Sequence, residues 1–316
     1  MKMSNPEIKF VKNKDIDRTK WDRCIDHSTS GIAYASSWFL DRICPHWDAL
    51  IWGDYLYVMP LPNNRKYGIR YIYQPFFTQQ LGVFSAFPTE PEIVNQFLNS
   101  IPRQFRLTDM KLNLANRPTT HSFILEPNAT YQLHLESGLE NIRNSYNSNT
   151  RRNIQKAIRN KVFISQVFDI KFFLLFTQQN LKDHSTDVKL KHYLALQKVI
   201  SYALINHLGE IYGAWDATNN LIASAFFLNT YQKYIFLAAS SNAQGIDQSA
   251  MFLLIDKFIS DKAGKNQILD FEGSNLAGIA RFYAGFGAKP ETYYSVHQNK
   301  LPKLMQILRP LRKVIR

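Results

Sequence analysis

Apolar residues recur along this chain in short bursts, and the spacing of each burst predicts a helix or a strand. In the first half, residues 8–11 read as a strand and residues 15–27 as a short amphipathic helix. Residues 36–43 read as a second helix, stopped by Pro45. Aromatic-rich strands follow at 47–52, 55–60 and 69–77, with Asn63-Asn64 as the turn between the last two. Pro88 and Pro91 precede a helix over 92–100, and 109–114 reads as another strand. The second half runs strand 131–135, helix 139–161, strand 162–167, then helices 170–181 and 191–206. Residues 210–215 and 221–228 form a hairpin around Thr218-Asn219-Asn220, and 234–239 is a third strand. After an apolar helix over 248–262 come a strand at 267–271, a short helix, a strand at 292–296 and a terminal helix over 301–315 interrupted by Pro310.

This order predicts an α/β (α+β) protein of two domains. The boundary falls in 116–128, punctuated by Pro118 and Pro127, giving domains over 1–125 and 126–316. The halves share an order of elements without obvious sequence identity, as two copies of one fold would.

Composition narrows the class. A chain of 316 residues, 45% hydrophobic and 14% aromatic, can bury two cores and is not disordered. Its first residues are polar and its apolar runs, such as 172–176, are too short for a bilayer, so a cytoplasmic protein is expected. Cys24 and Cys44 show no metal spacing and read as free buried thiols. His184 and His192 lie near Asp183 and Asp187 in a polar stretch that reads as a loop leading into a helix rather than a metal site.

The formal net charge is +13, unevenly placed. Residues 141–168 hold no acid but do hold Arg143, Arg151, Arg152, Lys156, Arg159 and Lys161. No acid follows Glu291, while Lys300, Lys303, Arg309, Arg312, Lys313 and Arg316 do. Such patches favour an anionic partner: nucleotide phosphate, tRNA or an anionic membrane surface. Arg152, Lys156 and Arg159 share a helix face, with Ser148, Asn149 or Thr150 as its cap. That face is either solvated or a grip for a diphosphate or tRNA backbone. The apolar side of the terminal helix, with Leu301, Leu304, Met305, Ile307 and Leu308, either packs on the first domain or lies on a membrane.

The most informative text is Asp270-Phe271-Glu272-Gly273-Ser274-Asn275, followed by a helix carrying Arg281 and Tyr283 that closes at Gly285-Phe286-Gly287. It places carboxylates at a strand end, backbone amides at a helix start and a phenol further on. Glu272 is the better candidate to accept or orient a proton; Asp270 ties down the turn. The alternative for Glu272 is a helix cap or an ion pair with Arg281.

The strand and helix order of the second half resembles the GNAT acyltransferase fold. With Asn149-Thr150-Arg151-Arg152-Asn153-Ile154-Gln155-Lys156-Ala157 and DFEGS…RFYAGFGA, two such domains in tandem resemble the FemABX-like family. The motif match covers mainly residues 131–296. The resemblance implies tandem domains, each a mixed, mostly antiparallel sheet flanked by helices. It implies Tyr283 as the acid that protonates a departing thiolate or ribose oxygen. It places the donor-binding turn at 240–250, with Asn242, Gln244, Gly245, Gln248 and Ser249, and adds Asn275. GNAT enzymes carry Q/R-x-x-G-x-G/A in that turn; this chain has only Gly245 there, and relatives that use aminoacyl-tRNA also do without it.

No G-x-S-x-G elbow or G-x-G-x-x-G fingerprint occurs, and the Walker-like spacing from Gly273 to Gly278 lacks the Lys-Ser/Thr that follows it in a P-loop. The expected activity is metal-free N-acyl transfer from acyl-CoA to an amine, such as a cell-envelope or amino-sugar precursor. The alternatives are an aminoacyl-tRNA-dependent transferase and a non-catalytic basic RNA- or membrane-binding module.

Overall fold

The structure, a computed structural model, describes residues 7–167, 169–181, 188–273 and 275–302. The chain opens with β1 (Ile8–Val11), α1 (Arg18–Asp26), α2 (Ser37–Ile43), β2 (Trp47–Trp52), β3 (Tyr57–Lys66) and β4 (Ile69–Ile72). Next come β5 (Phe84–Ser85), α3 (Pro91–Asn99), β6 (Phe105–Lys111) and β7 (Ile124–His134). The middle holds α4 (Leu139–Asn144), α5 (Ser148–Arg159), β8 (Phe163–Gln166), α6 (Ile170–Leu181) and α7 (Leu190–Ile205). Then follow β9 (Gly209–Trp215), β10 (Leu221–Thr230), β11 (Lys233–Ser241), α8 (Ala243–Asp247) and α9 (Ala250–Lys262). The last described elements are β12 (Ile268–Asp270), α10 (Ala277–Ala284) and β13 (Lys289–Asn299).

Contacts divide the chain into unit 1, Met1–Asn128 with Thr292–Arg316, and unit 2, Ala129–Glu291. In unit 1 the strand order is β1-β2-β3-β4-β6-β13, and only the β4–β6 neighbours are parallel. In unit 2 it is β7-β12-β11-β10-β9-β8, and only β11–β12 is parallel. Each unit is therefore a mixed, mostly antiparallel sheet with helices: the order of elements predicts the α/β (α+β) class, and the resemblance implies the mixed, mostly antiparallel sheets.

Large apolar side chains hold each unit. Trp21, Trp47, Phe39, Phe84, Phe97 and Phe105 are buried in unit 1. In unit 2, Phe227 and Phe258 stack at 3.6 Å between the sheet and α9, with Tyr212 and Tyr234 set edge-on. Full burial of one such ring contributes about 1.5–3 kcal/mol. Caps fix the helix starts: Asp17 accepts from the Lys20 amide at 3.1 Å, and Pro91 occupies the first turn of α3.

Several expected boundaries move, each for a physical reason. The turn placed at Asn63-Asn64 is strand; β3 runs to Lys66 and turns at Tyr67 and Gly68, both at positive φ. Pro60 and Pro62 are tolerated in β3 because β4 joins its other edge only from Asn63 and β5 reaches only Tyr57 and Val58. The strand expected at 109–114 starts earlier, at Phe105, and the one expected at 69–77 stops at Ile72. The stretch 116–128, read as a linker, already holds the start of β7. The helix read over 139–161 is broken into α4 and α5. Asn147 turns there, giving its N–H to the Gly285 carbonyl at 3.0 Å, while its side chain accepts from the Thr150 amide at 2.8 Å. The cap of α5 is thus Asn147, not Ser148, Asn149 or Thr150.

The last segment also falls elsewhere than the division at residue 125 puts it. β13 pairs antiparallel with β6, from Ser295↔Lys111 to Asn299↔Leu107, and Leu301 is buried with Tyr71 and Leu107. Periodicity marks a strand but not its partner. The terminal helix expected over 301–315 lies beyond Pro302, outside the described residues, as do Lys303, Arg309, Arg312, Lys313 and Arg316. Among the described residues no helix is long and apolar enough to cross a membrane.

Candidate active site

The site begins where β12 ends in unit 2. β11 and β12 pair in parallel from Lys233↔Ile268 to Ile235↔Asp270; β11 then runs on to Ser241 while the other strand stops. Asp270 is buried at this point. Its carboxylate accepts from the Thr130 hydroxyl at 2.6 Å, the Gln132 amide at 2.7 Å and the backbone N–H of Glu272 at 2.9 Å. A carboxylate bonded to the amide two residues on is an Asx-type turn. Asp270 thus anchors the turn.

That bond holds Glu272 at φ +60, left-handed backbone that costs a non-glycine residue about 1 kcal/mol. The chain turns at Glu272 itself, before Gly273. Its carbonyl accepts the Tyr131 amide at 3.2 Å. Glu272 keeps part of its surface exposed, yet burial of the carboxyl pushes its pKa up to about 8 from an ordinary 4.5.

Tyr283 projects from α10 toward the same place. Its ring stacks on Phe271 at 4.9 Å and meets Tyr131 and Phe236 at 6.1 and 6.3 Å. Burial, then the carboxylates of Glu272 and Asp270, raise the phenol above its ordinary range, so it stays protonated. Tyr283 is half-buried, and no described residue bonds to its hydroxyl. A carboxyl raised by burial and a phenol kept protonated are groups of the kind that can accept and donate a proton. Arg281, one turn from the helix start, is exposed and donates from Nε to the Ala277 carbonyl at 3.3 Å. Among the described residues no ion pair joins it to Glu272.

The residues assigned to the donor turn lie between β11 and α9. Asn242 accepts from the Gly245 amide at 2.8 Å and caps α8, a short helix absent from the sequence reading. Gly245 is required by close approach: a Cβ there meets the Ile222 carbonyl oxygen. Gln244 donates to Asp216 at 2.8 Å, and Ser249, at φ +61, gives its hydroxyl to Asn153 of α5 at 2.8 Å. Ser249 therefore leaves the start of α9 without a side-chain cap. Gln248 holds Oε1 buried with no partner among the described residues. Asn275 is exposed and accepts from the Ala129 amide at 3.5 Å.

α5 packs Thr150, Ile154 and Ala157 inward and leaves Arg152 and Arg159 exposed. Lys156 forms an ion pair with Asp247 at 3.5 Å, which brings this face beside α8. The closing turn after α10 needs glycine: Gly287 sits at φ +82, and a Cβ there meets the Ser145 hydroxyl. His192 accepts from the Lys189 amide at 2.9 Å at the start of α7, while Asp183, His184 and Asp187 lie outside the described residues, as does Ser274.

Sequence reasoning missed the supporting side chains: Thr130 and Gln132 under Asp270, Asn153 on Ser249, and Asp216 on Gln244. The only signal for the first two is their spacing on one face of β7. For the others none exists, because the partners are distant in sequence.

No protein-family model matches this chain, and no curated protein matches it. Solved structures do. FemX aligns at 10% identity over 95% of this chain and 99% of its own, with a TM-score of 0.63. The C-terminal domain of a putative lysylphosphatidylglycerol synthetase from Agrobacterium fabrum aligns at 11% identity over 89% and 91%, TM-score 0.57. L-PGS from Bacillus licheniformis aligns at 11% identity over 95% and 98%, TM-score 0.56. At such identities the likeness is one of architecture, and it spans nearly the whole of each chain: this protein shares the fold of FemX and of L-PGS.

Proposed function

We propose that the protein is an acyltransferase whose reaction is carried by unit 2. The observation that carries this reading is the gathering of Glu272, in left-handed backbone with its carboxyl pushed up by burial, and of Tyr283, its ring stacked on Phe271, about the end of β12. In the reaction, an acceptor amine attacks the acyl carbonyl of a carrier-bound donor. The C–N bond forms, Glu272 takes the proton from nitrogen, and the bond from carbonyl carbon to the carrier breaks. Tyr283 gives its proton to the departing sulfur or oxygen. Alignment of donor and acceptor supplies much of the acceleration in such a step.

Two donors fit. Acyl-CoA is the donor that a GNAT-type turn implies. The side chains of Asn242, Gln244 and Ser249 are all engaged within the protein, and the turn has one glycine. That observation favours aminoacyl-tRNA, whose backbone the exposed Arg152 and Arg159 would meet.

The test incubates the purified chain with radiolabelled acetyl-CoA or with a mixture of labelled aminoacyl-tRNAs, in the presence of amine acceptors. Label moving to acceptor from charged tRNA, and lost in Tyr283→Phe, is the expected result. Transfer from acetyl-CoA alone reverses the choice of donor. No transfer from either, with salt-sensitive RNA binding intact, leaves the non-catalytic binding module.

A further inference from the structure

Unit 1 holds a second place where chemistry converges. Beside the turn from β3 to β4 lies a cavity of about 540 Å3, lined by Ile69, Arg70, Gln104, Arg106, Lys300 and Leu301 among others. Its three cations come from three neighbouring stretches of the sheet: Arg70 on β4, Arg106 on β6 and Lys300 just past β13.

A bulge brings them together. β4 pairs Arg70 with Phe105 and Tyr71 with Leu107, so Arg106 is the extra residue on β6 and has no partner across that ladder. Bulges turn a side chain out of the regular alternation. The Arg106 carbonyl accepts the Lys300 amide at 2.7 Å, which sets these two residues side by side. Gln104 accepts from Nη1 of Arg70 at 2.7 Å and orients that guanidinium.

Nothing described neutralises this cluster. Among the described residues none of Arg65, Arg70, Arg103, Arg106 and Lys300 forms an ion pair with a carboxylate. Arg65 lies directly across from Arg70 in the β3–β4 register, a like-charge pair that destabilises a sheet. Burial, then Arg103 and Arg106, hold the Lys300 ammonium below its ordinary range. Uncompensated cations gathered into a concave site are what anion recognition requires. Arginine forks match phosphate oxygens two at a time.

We propose that this cavity binds a phosphate or diphosphate group carried by a small molecule. Its floor is apolar: Leu301 is buried with Tyr71 and Leu107, and Ile69 packs against them. A volume of about 540 Å3 falls in the range of small-molecule sites, so the ligand extends beyond its phosphate onto that floor. The site lies wholly in unit 1 and does not depend on the acyl-transfer reading.

The probe is inorganic pyrophosphate, titrated calorimetrically into the full chain. Vesicles of phosphatidylglycerol with phosphatidylcholine and a single-stranded RNA are tested in parallel. The expected result is saturable pyrophosphate binding with a Kd at or below about 1 mM. Arg106→Gln combined with Lys300→Met, which keeps both aliphatic stems, weakens it at least about tenfold with the melting temperature of the free protein unchanged. Should that pair fail to fold, Arg70→Gln alone serves as the second variant. Lys12→Ala, in the same unit but remote in sequence from the cavity, leaves binding intact. Absence of saturable binding, or binding that the substitutions do not weaken, overturns the proposal. So does binding to vesicles or RNA alone.

Discussion

The carboxylate of Asp270 accepts the backbone N–H of Glu272 at 2.9 Å, so one acidic residue sets the backbone posture of the other. The same carboxylate also satisfies the buried side chains of Thr130 and Gln132. Asp270→Ala should therefore destabilise the protein by about 2–4 kcal/mol, since each orphaned buried polar group costs about 1–3 kcal/mol. Asp270→Asn keeps the acceptor for Glu272 and should cost about half as much. Urea denaturation midpoints of the three proteins test this order; equal midpoints for Ala and wild type would remove the anchoring role.

Glu272 makes a prediction about pH. Its folded pKa, about 8, lies above the ordinary 4.5, so between those values the folded state keeps a proton that the unfolded chain has lost. Stability from this group is accordingly present at low pH and lost as pH rises through that window. Glu272→Gln abolishes the slope. Between pH 5 and pH 9 the melting temperature of wild type should fall by at least about 2 °C more than that of the variant. In an acyl-transfer assay, the rate limb that rises toward pH 8 should vanish in Glu272→Gln, with about a hundredfold loss of kcat. An unchanged pH profile would falsify its role as base.

Tyr283→Phe separates chemistry from packing. The ring keeps its stacking on Phe271, and the hydroxyl has no described partner to lose. Stability should stay within about 0.5 kcal/mol of wild type while acyl transfer drops about a hundredfold. If chemical denaturation shows a large loss of stability instead, the phenol is holding the fold rather than the reaction.

Gly245→Ala tests the turn between β11 and α9. Its new methyl group meets the Ile222 carbonyl oxygen, a backbone atom that cannot swing aside. The expected cost is about 1–3 kcal/mol, read as a lower urea midpoint. Ile246→Ala next to it, on an exposed side chain, should leave the midpoint nearly unchanged and serves as the control.

How much of this was legible in the sequence depends on how local each cause is. The strand at 47–52 and the helix at 170–181 coincide with β2 and α6, because their periodicity is carried by their own residues. The break before α5 was not legible, since it is made by Asn147 reaching the Gly285 carbonyl. The motif text singled out Glu272 and Tyr283 because a strand end followed by a short helix is a local pattern; in the structure the carboxylates of Glu272 and Asp270 act on the Tyr283 phenol. The text could not show that Gln244 is held by Asp216, 28 positions away, or that Ser249 is held by Asn153. Polar residues in a glycine-containing turn look available for a ligand until their distant partners are known. The left-handed backbone at Glu272 was likewise hidden, for a glycine stood next to it and seemed to explain the turn alone.

The pairing of β13 with β6 has a consequence for biosynthesis. A nascent chain leaves the ribosome from its N-terminus, so β6 emerges long before the strand that completes its ladder. Until translation passes Asn299, the β6 edge offers unpaired amides and carbonyls to any other strand nearby, the hazard of an open sheet margin. The N-terminal unit must therefore wait for the whole intervening unit to be synthesised before it can close, and a fragment ending at Asn128 would carry that open margin permanently.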